Sequence, residues 1–546
     1  MAQVPTSPRR THILVPALLA MLALLVTGLG PASAARRSPT MAPSAAELAG
    51  SLSDAELVGQ VLMPHVYGTH ATEVSADDAA ANQQYAGVST PAELVERYRV
   101  GGVILFDRNV TDPAQLRTFT DGLRSAAGGQ LLVGIDQEYG VVARLTDGVT
   151  GLPSAMASAA AGDPALTEAA WRVAGTELAA LGVNVDFAPV ADVLSGGGGG
   201  IIGSRSYGSD PALAAAQVAA VVRGLQGAGV AATLKHFPGH GNTELDSHSE
   251  LPVVPAAHPL AEADLPPFTA GIDAGAWLVM AGHLDIQQLD PGLPASFSHP
   301  VLTGLLREQL GFRGVTVTDA LNMAPAQRWP PGEAAVRALL AGADLLLMPP
   351  DLAAAYDGLL TAVRDGTLPR ERLREAATRV LELKRRLAAP TADPAQDLSI
   401  LDSDGHRQAV APLAAGAVTL LRGTCTGPLV DGPVTVTAAS GRDQARDWLT
   451  EALAEAGVPV SHSGDTVVHL VGYGDGPGDL REDAAVTVAM DTPHLLAESR
   501  SPALVATYSS SRLSMRALAA VLTGAAQAPG RSPVEVPGLP RSACQE

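Results

Sequence analysis

Short apolar runs alternate with longer stretches of helical periodicity over residues 50–390. Apolar runs of about four to eight residues are typical of buried strands, and apolar residues three or four apart are typical of helices. Their regular alternation predicts βα units arranged around a parallel sheet. The predicted strands are Val61–Met63, Gly102–Phe106, Leu131–Gln137, Val183–Val190, Ala231–Phe237, Trp277–Gly282, Gly314–Thr318 and Ala343–Met348.

Eight such runs, with helices predicted over Asp210–Ala228 and Pro300–Leu310, match a (β/α)8 barrel, and a doubly wound sheet is the main alternative. The placement of polar residues favours the barrel. Each of a set of charged and imidazole side chains lies at or just after the carboxyl end of a predicted strand, which is the face where barrel enzymes carry their chemistry. These residues are Asp136, Asp192, Lys235, His236, His283 and Asp319.

A second α/β pattern follows the barrel. The stretch Ala388–Gln396, rich in Ala, Pro and Thr, is typical of a linker, and a helix is predicted over Arg442–Ala456. Strand-like runs resume at Gly416–Leu421, Val434–Ala438, Val467–Val471, Val486–Met490 and Ala503–Tyr508. The chain is therefore predicted to have an α/β fold, with an N-terminal (β/α)8 TIM-type barrel followed by a smaller C-terminal α/β sandwich domain.

The predicted boundaries follow from these patterns. The tail is too rich in Pro and Ser for regular structure, and the run Gly196–Gly200 is predicted to be a mobile loop beside Arg205. The segments are a signal peptide at 1–34, a disordered linker at 35–45, the barrel at 46–387, a linker at 388–400, the C-terminal domain at 401–528 and the tail at 529–546.

The N-terminal segment has the pattern of an export signal. Arg9 and Arg10 precede the apolar stretch Ile13–Leu29, and Ala32-Ser33-Ala34 fits a small-residue cleavage site. An uncleaved membrane anchor is the alternative. Export would expose the two cysteines, Cys425 and Cys544, to an oxidising environment in which they can form a disulfide.

Composition narrows the function classes. With 47% hydrophobic and 17% charged residues the chain is typical of a globular protein. The formal net charge of -20, without a Lys/Arg stripe, argues against a nucleic-acid binder, because such proteins must displace phosphate counterions. Aromatic residues make up only 3% of the chain, which argues against a long stacking platform for polysaccharide.

The densest group of reactive side chains lies in the segment KHFPGHGNTELDSH at residues 235–248. A metal site built from His236, His240 and His248 is one interpretation, but Pro238 and Gly239 break the helix that would align the first two. The other interpretation is proton transfer.

Proton transfer is suggested by Asp246 and His248, which lie two residues apart in what we predict to be an extended loop and so point the same way. A carboxylate beside an imidazole favours the charged form of the ring and allows it to donate a proton near neutral pH. At Asp319 the sequence by itself is balanced between a catalytic carboxylate and a buried aspartate with structural hydrogen bonds.

Four segments carry a family resemblance. KHFPGHGNTELDSH, DQEYGVVARL at 136–145, IGSRSYGSDP at 202–211 and GVTVTDALNM at 314–323 resemble the β-N-acetylglucosaminidase branch of glycoside hydrolase family 3, and GRSPVEVPG at 530–538 resembles the close of that family's C-terminal domain. The Asp-Ser-His loop separates this branch from the family's β-glucosidases. The resemblance implies a retaining glycosidase that needs no cofactor or metal.

The resemblance also implies a role for individual residues. Asp319 would be the nucleophile, His248 the acid/base and Asp246 its orienting partner. Matches to sugar-binding positions are Asp136, Arg144, Arg205, Lys235 and His236. The chain departs from the family's DQEGGR-type motif at Tyr139 and Val141, where Gly and Arg are usual, and this predicts reduced activity or an altered substrate shape.

The implied substrate is a terminal β-linked N-acetylglucosamine of a peptidoglycan fragment or short chitin piece. Two alternatives stay open at this point: a phosphorylase that uses phosphate as acceptor, and a non-catalytic wall-binding protein with a decayed barrel. The expected protein is secreted or cell-wall associated, without membrane attachment after signal cleavage, and of undecided oligomeric state.

Overall fold

The computed structural model describes residues 43–195, 200–243, 245–388, 397–461 and 463–544. The predicted signal peptide, residues 35–42 of the predicted linker, residues 196–199 of the glycine run and residues 389–396 of the second linker lie outside these ranges. None of the helices within the described ranges combines the length and the apolar character needed to cross a bilayer.

Eight parallel strands form a closed ring. They are β1 Leu62–Met63, β2 Gly102–Leu105, β3 Leu132–Ile135, β4 Val185–Asp186, β5 Ala231–Phe237, β6 Leu278–Ala281, β7 Val315–Thr318 and β8 Leu346–Leu347. Strands β2 to β7 form one sheet in chain order, and β8 pairs with β1. Bridges from His65 to Ile104 and from Val317 to Leu345 join these two parts. The predicted barrel is confirmed.

Helices surround the ring, and they bury apolar residues against the strands or against neighbouring helices. Most begin at a Ser, Thr or Asp whose side chain accepts a backbone N–H of the first turn, as Asp210 does for Ala212. Their bounds are Ala45–Ser51, Asp54–Gln60, Ala76–Ala86, Pro91–Tyr98, Pro113–Ala126, Ala155–Ala161, Pro164–Ala180, Pro211–Gly227, Leu260–Ala263, Leu265–Asp273, Pro331–Ala341, Leu352–Asp365 and Arg370–Leu387, and Pro300–Gln309 has π-helical hydrogen bonding.

The C-terminal domain contains a five-stranded sheet. Its strands are β9 Thr419–Arg422, β10 Val434–Ala438, β11 Thr466–Val471, β12 Val486–Ala489 and β13 Ala503–Ala506, and its helices are Asp404–Ala417, Asp443–Glu455 and Arg512–Leu522. The strand order is β9-β13-β12-β11-β10, and only β9 is antiparallel to its neighbour. The strand predicted from Gly416 begins later, because a helix continues to Ala417.

Buried Glu177 links the barrel to the C-terminal domain. Its Oε1 accepts hydrogen bonds from the Thr150 hydroxyl at 2.7 Å, the Asp402 backbone at 3.0 Å and His406 Nδ1 at 2.7 Å. Its Oε2 accepts the Thr150 backbone N–H at 2.7 Å. One carboxylate in the helix Pro164–Ala180 therefore holds both a barrel loop and the first helix of the second domain.

Two predicted irregular segments are more ordered than their composition suggests. The disordered linker predicted to reach residue 45 is wrong at its end, since Ser44 caps a helix that begins at the buried Ala45. The described part of the predicted tail, residues 529–544, contains no helix or long strand, but Arg531 N–H donates to Ala160 of the barrel and Ala543 N–H to Leu420 of the second domain. Backbone hydrogen bonds thus fix this Pro-rich chain without regular structure.

Residues 397–400 of the second predicted linker form a 3-10 turn, Leu398–Ile400, instead of an open connection. A disulfide joins Cys425 to Cys544, with their Cα atoms 5.4 Å apart. It connects the tail to the segment that follows β9.

Candidate active site

Asp319 directly follows β7, at the carboxyl end of the barrel. Its backbone N–H donates to Ala281 at the end of β6 at 2.8 Å, and the Ala320 N–H donates to its Oδ1 at 2.8 Å. Burial by itself would raise the pKa of Asp319, but electrostatic interactions with the His236 and His283 imidazoles, together with the Ala320 N–H, hold it below its ordinary value. The surroundings of Asp319 therefore favour an ionised carboxylate at this face.

Asp192, which follows β4, organises the segment after β5. Its Oδ2 lies 2.7 Å from His236 Nδ1, and its Oδ1 accepts the backbone N–H groups of His236 at 3.1 Å and His240 at 2.7 Å. Burial would raise its pKa, but the adjacent imidazoles and these hydrogen bonds lower it. One carboxylate thus sets the positions of two histidines.

The ring nitrogens of His240 are both occupied, Nδ1 by the Thr243 hydroxyl at 2.5 Å and Nε2 by the Ser247 hydroxyl at 3.1 Å. The three-histidine metal site considered from the sequence is therefore not formed. Within the part of the chain that the structure describes, no three His, Cys, Asp or Glu side chains are grouped to hold a metal ion. His240 instead fixes the loop that carries Ser247 and its neighbours.

Asp246 and His248 are joined directly. Asp246 Oδ1 lies 2.7 Å from His248 Nδ1 and accepts the His248 backbone N–H at 2.9 Å. The predicted extended loop is wrong here, because Asp246 also accepts from the Ser249 and Glu250 N–H groups through its carbonyl, and the residues form a turn. The His248 side chain is 75% exposed, so its ring is accessible from solvent.

The loop of His248 touches the loop of Asp319. The Ala324 N–H donates to the His248 carbonyl at 3.2 Å, and Ala324 lies five residues beyond Asp319. The positive charge of His248 also contributes to the lowered pKa of Asp319. The structure thus brings an imidazole and a carboxylate from different barrel loops to one face.

A buried group of two cations and two anions lies beside these residues, and we call Asp136, Glu138, Arg205 and Lys235 the ionic cluster. Lys235 Nζ contacts Asp136 Oδ1 at 2.8 Å and Glu138 Oε1 at 2.6 Å. Arg205 forms a bidentate pair with Glu138, at 2.7 and 2.9 Å.

The four charges of the ionic cluster stabilise one another. Burial would lower the pKa of Lys235, but Asp136 and Glu138 raise it. Burial would raise the pKa of Glu138, but Arg205 and Lys235 hold it far below its usual range. Each of these shifts favours the charged form of Lys235 and Glu138, and the charged groups can hydrogen-bond a polyhydroxylated ligand.

Arg144 borders the ionic cluster more loosely. Its Nη2 lies 3.9 Å from Asp136 Oδ2, its guanidinium carbon lies 5.3 Å from the Phe106 ring centroid, and its buried Nε has no hydrogen-bond partner. A buried N–H without an acceptor costs about 1–3 kcal/mol. The Nε of Arg144 is therefore a donor that a bound ligand could satisfy.

The two departures from the family motif occupy different environments. Tyr139 has a left-handed backbone, with φ of 62°, and its buried ring packs edge-on against Trp171 with centroids 5.6 Å apart. Such a φ favours glycine, and the packing of the tyrosine ring stabilises this residue in the left-handed conformation. Val141 is 40% exposed.

Several residues of this face had no assigned role in the sequence analysis. Glu138 lies in the quoted DQEYG segment, but only its contacts show that it balances Arg205 and Lys235. For Asp192 the sequence indicates only a carboxylate at a strand end. His283, also a strand-end residue, binds the Ser296 hydroxyl at 2.6 Å and the Ala320 carbonyl at 3.0 Å, and so steadies the backbone beside Asp319.

Residues 54–383 match the Glycosyl hydrolase family 3 N terminal domain. The chain belongs to glycosyl hydrolase family 3. The match covers the ring of strands and the face that carries Asp319, the ionic cluster and His248. The family predicted from the sequence motifs, and with it the class of glycoside hydrolase, is confirmed.

Similar proteins agree with this family 3 assignment. Beta-hexosaminidase A of Pseudoalteromonas piscicida is 35% identical over 373 residues, which are 62% of this chain and 62% of that protein. A beta-hexosaminidase of Stenotrophomonas maltophilia strain K279a is 42% identical over 258 residues, 46% of this chain and 76% of that protein.

A solved structure extends the similarity beyond the barrel. The family 3 beta-N-acetylglucosaminidase of Paenibacillus sp. str. FPU-7 superposes with a TM-score of 0.79 and 33% identity, over 89% of this chain and 99% of that one. Because it covers 89% of this family 3 chain, the superposition extends over the barrel and into the C-terminal domain.

Proposed function

We propose that this family 3 glycosyl hydrolase removes terminal β-linked N-acetylglucosamine with retention of anomeric configuration. The observation that carries the proposal is the contact of the two loops, in which Ala324 N–H donates to the His248 carbonyl at 3.2 Å. It connects the Asp246–His248 pair to the segment that follows Asp319. The relatives named beta-hexosaminidase and beta-N-acetylglucosaminidase support the same activity.

In the first step Asp319 attacks the anomeric carbon and forms a covalent glycosyl ester. The bond to the leaving oxygen breaks, and that oxygen takes a proton from His248. In the second step water adds to the anomeric carbon, gives a proton to His248 and releases the Asp319 carboxylate. The lowered pKa of Asp319 suits a nucleophile, which must be ionised before it attacks.

His248 serves as acid and base through one ring nitrogen. Nδ1 is held by Asp246 at 2.7 Å, which leaves Nε2 as the nitrogen that exchanges the proton. Because Asp246 accepts from both the ring and the backbone N–H of His248, the carboxylate orients the ring. Asp plus His thus replaces the usual pair of carboxylates.

The ionic cluster, with Arg144 and His236, would bind the terminal sugar. Asp136 accepts hydrogen bonds from sugar hydroxyls, whereas Arg205 and Lys235 donate to hydroxyl or carbonyl oxygens. Because these side chains are already held by one another at 2.6 to 2.9 Å, little further ordering is needed when the sugar binds.

The substrates we propose are fragments of peptidoglycan or short chitin oligosaccharides, and the protein would meet them after export through the signal peptide at 1–34. Export is tested by expression of the full chain in a bacterial host. N-terminal sequencing of the extracellular protein should find cleavage after Ala34, and a retained, uncleaved chain would contradict this.

Hydrolysis is tested with p-nitrophenyl β-N-acetylglucosaminide. We expect turnover, and proton NMR should detect the β-anomer of the free sugar before mutarotation. Absence of turnover would contradict the activity, and an α-anomer as first product would contradict retention. The same assay with inorganic phosphate tests the phosphorylase alternative, for which the main product would be a sugar 1-phosphate.

A further inference from the structure

Arg205 lies at the end of a short turn that is held from two sides. The turn is the 3-10 segment Gly203–Arg205, and Ser206 follows it. The Ser206 hydroxyl donates to the Asp192 carbonyl at 2.7 Å, which ties the turn to the barrel. The Arg205 side chain, which is 17% exposed, then reaches Glu138 in the ionic cluster.

The opposite side of the turn rests on the C-terminal domain. The Ser204 hydroxyl donates to Asp491 Oδ1, and both side chains are buried, at 1% and 8% exposure. Asp491 lies just beyond the carboxyl end of β12, in the second domain. A serine next to the sugar-binding arginine is therefore held by a carboxylate 287 residues away in the chain.

Apolar contacts place the same two segments together. Ile202, which precedes the turn, belongs to one buried cluster with Leu496 and Val534 of the C-terminal part of the chain. The Ser209 N–H also donates to the Pro533 carbonyl at 3.1 Å. The backbone on both sides of Arg205 is thus packed against the second domain, and the Ser204–Asp491 hydrogen bond lies closest to the arginine.

We propose that Asp491 is a positioning residue through which the C-terminal domain holds Arg205 against Glu138 and completes the sugar-binding face. This rests on the proposed function of that face. Arg205 itself would touch the sugar, whereas Asp491 acts through Ser204 and the turn. A planar guanidinium must be correctly placed to form two parallel hydrogen bonds, so a small movement of its backbone weakens both.

The proposal is tested by affinity for free N-acetylglucosamine, measured by calorimetry, together with kcat and KM on the aryl substrate. Loss of a buried hydrogen bond to a carboxylate leads us to expect that Ser204→Ala and Asp491→Ala each weaken sugar affinity about tenfold. The double variant should lose no more than either single variant, because both remove the same contact. Asp491→Asn keeps an acceptor and should recover most of the affinity.

Asp483→Ala is the matched control, since Asp483 is in the same domain and pairs with exposed Arg481, at 2.6 and 2.9 Å. It should keep wild-type affinity. Thermal unfolding of every variant separates stability from binding, and affinities are compared well below the lowest midpoint. A purely structural role would lower the midpoint and leave the affinity at that temperature unchanged.

The outcomes separate this inference from the proposed function. If the wild type binds the sugar and Ser204→Ala and Asp491→Ala stay within twofold of it, the positioning role is wrong, whether or not the aryl substrate is hydrolysed. If the variants lose affinity as expected while hydrolysis fails, the role stands and the proposed activity is wrong. If the wild type neither binds the sugar nor hydrolyses the aryl substrate, both are wrong. If it hydrolyses the aryl substrate without measurable binding of the free sugar, a KM within twofold of wild type in both variants overturns the positioning role.

Discussion

The Oδ1 atom of Asp246 lies 2.7 Å from Nδ1 of His248 and 2.9 Å from the backbone nitrogen of the same residue. One carboxylate oxygen therefore fixes the ring and the main chain of the histidine together. Because a turn with Ser249 and Glu250 closes on the Asp246 carbonyl, the pair is held by hydrogen bonds within one short segment. This unit and Asp319 belong to different loops, and their cooperation depends on the barrel.

Replacement of Asp319 should abolish the proposed nucleophilic step. We expect Asp319→Asn to lower kcat by at least ~10³-fold, because the amide cannot form the glycosyl ester. Asp319→Ala in the presence of azide should regain part of the turnover and yield the α-glycosyl azide, detected by NMR. Full activity in Asp319→Asn would show that the nucleophile lies elsewhere.

The Asp246–His248 pair should behave as one catalytic unit. His248→Ala should lower kcat about 10²–10⁴-fold on substrates with poor leaving groups, because general acid catalysis is lost. For substrates whose aryl leaving group needs no protonation, the rate of the first step should fall less. Adding Asp246→Ala to His248→Ala should have almost no further effect, measured as kcat/KM of single and double variants. Additive losses would indicate that the aspartate acts independently of the histidine.

The pH profile of kcat/KM should report the lowered pKa of Asp319. Burial opposes ionisation, but His236, His283 and the Ala320 N–H favour it more strongly. A carboxylate with a lowered pKa stays ionised above its ordinary value of about 3.9, so nucleophilic activity should be lost only as the pH falls below that value. Rates are measured from pH 3 to 8, with circular dichroism to verify the fold. An acid limb centred above about pH 5 in folded protein would be inconsistent with this.

Glu177 should contribute more to stability than a surface glutamate of the same helix. Glu177→Ala leaves the Thr150 and Asp402 N–H groups and His406 without their acceptor, and we expect a loss of ~2–4 kcal/mol in the free energy of unfolding. Glu168→Ala is the control, because Glu168 pairs with half-exposed Arg172 and Arg223, and its loss should stay within ~1 kcal/mol. Urea titrations measure both. Equal losses of unfolding free energy in the two variants would show that Glu177 contributes no more to stability than the surface glutamate.

Much of the barrel could be predicted from the sequence. Each of the eight apolar runs contains an observed strand, because a strand buried on both faces must be apolar along its length. Element ends were less accurate. The strand predicted from Val183 to Val190 is reduced to Val185–Asp186, because the chain leaves the ladder at its carboxyl end to form the loop that carries Asp192.

Contacts within the site between residues close in the chain could also be predicted from the sequence. Asp246 and His248 are two residues apart, so spacing alone indicated their contact, although the turn between them depends on backbone hydrogen bonds that the pattern did not reveal. The placement of Asp319 after an apolar run indicated its strand-end position. Its role as nucleophile came from the family resemblance and stays a prediction.

The sequence by itself thus determined the family, the order of strands and the residues that end them, since these depend on local periodicity and short motifs. Only the tertiary structure decided the partners across the face. Glu138 meets Arg205 across 67 residues, His236 meets Asp192 across 44, and Ser204 meets Asp491 across 287. Such pairs are set by how the ring closes and how the second domain packs on it, and no spacing along the chain encodes that geometry.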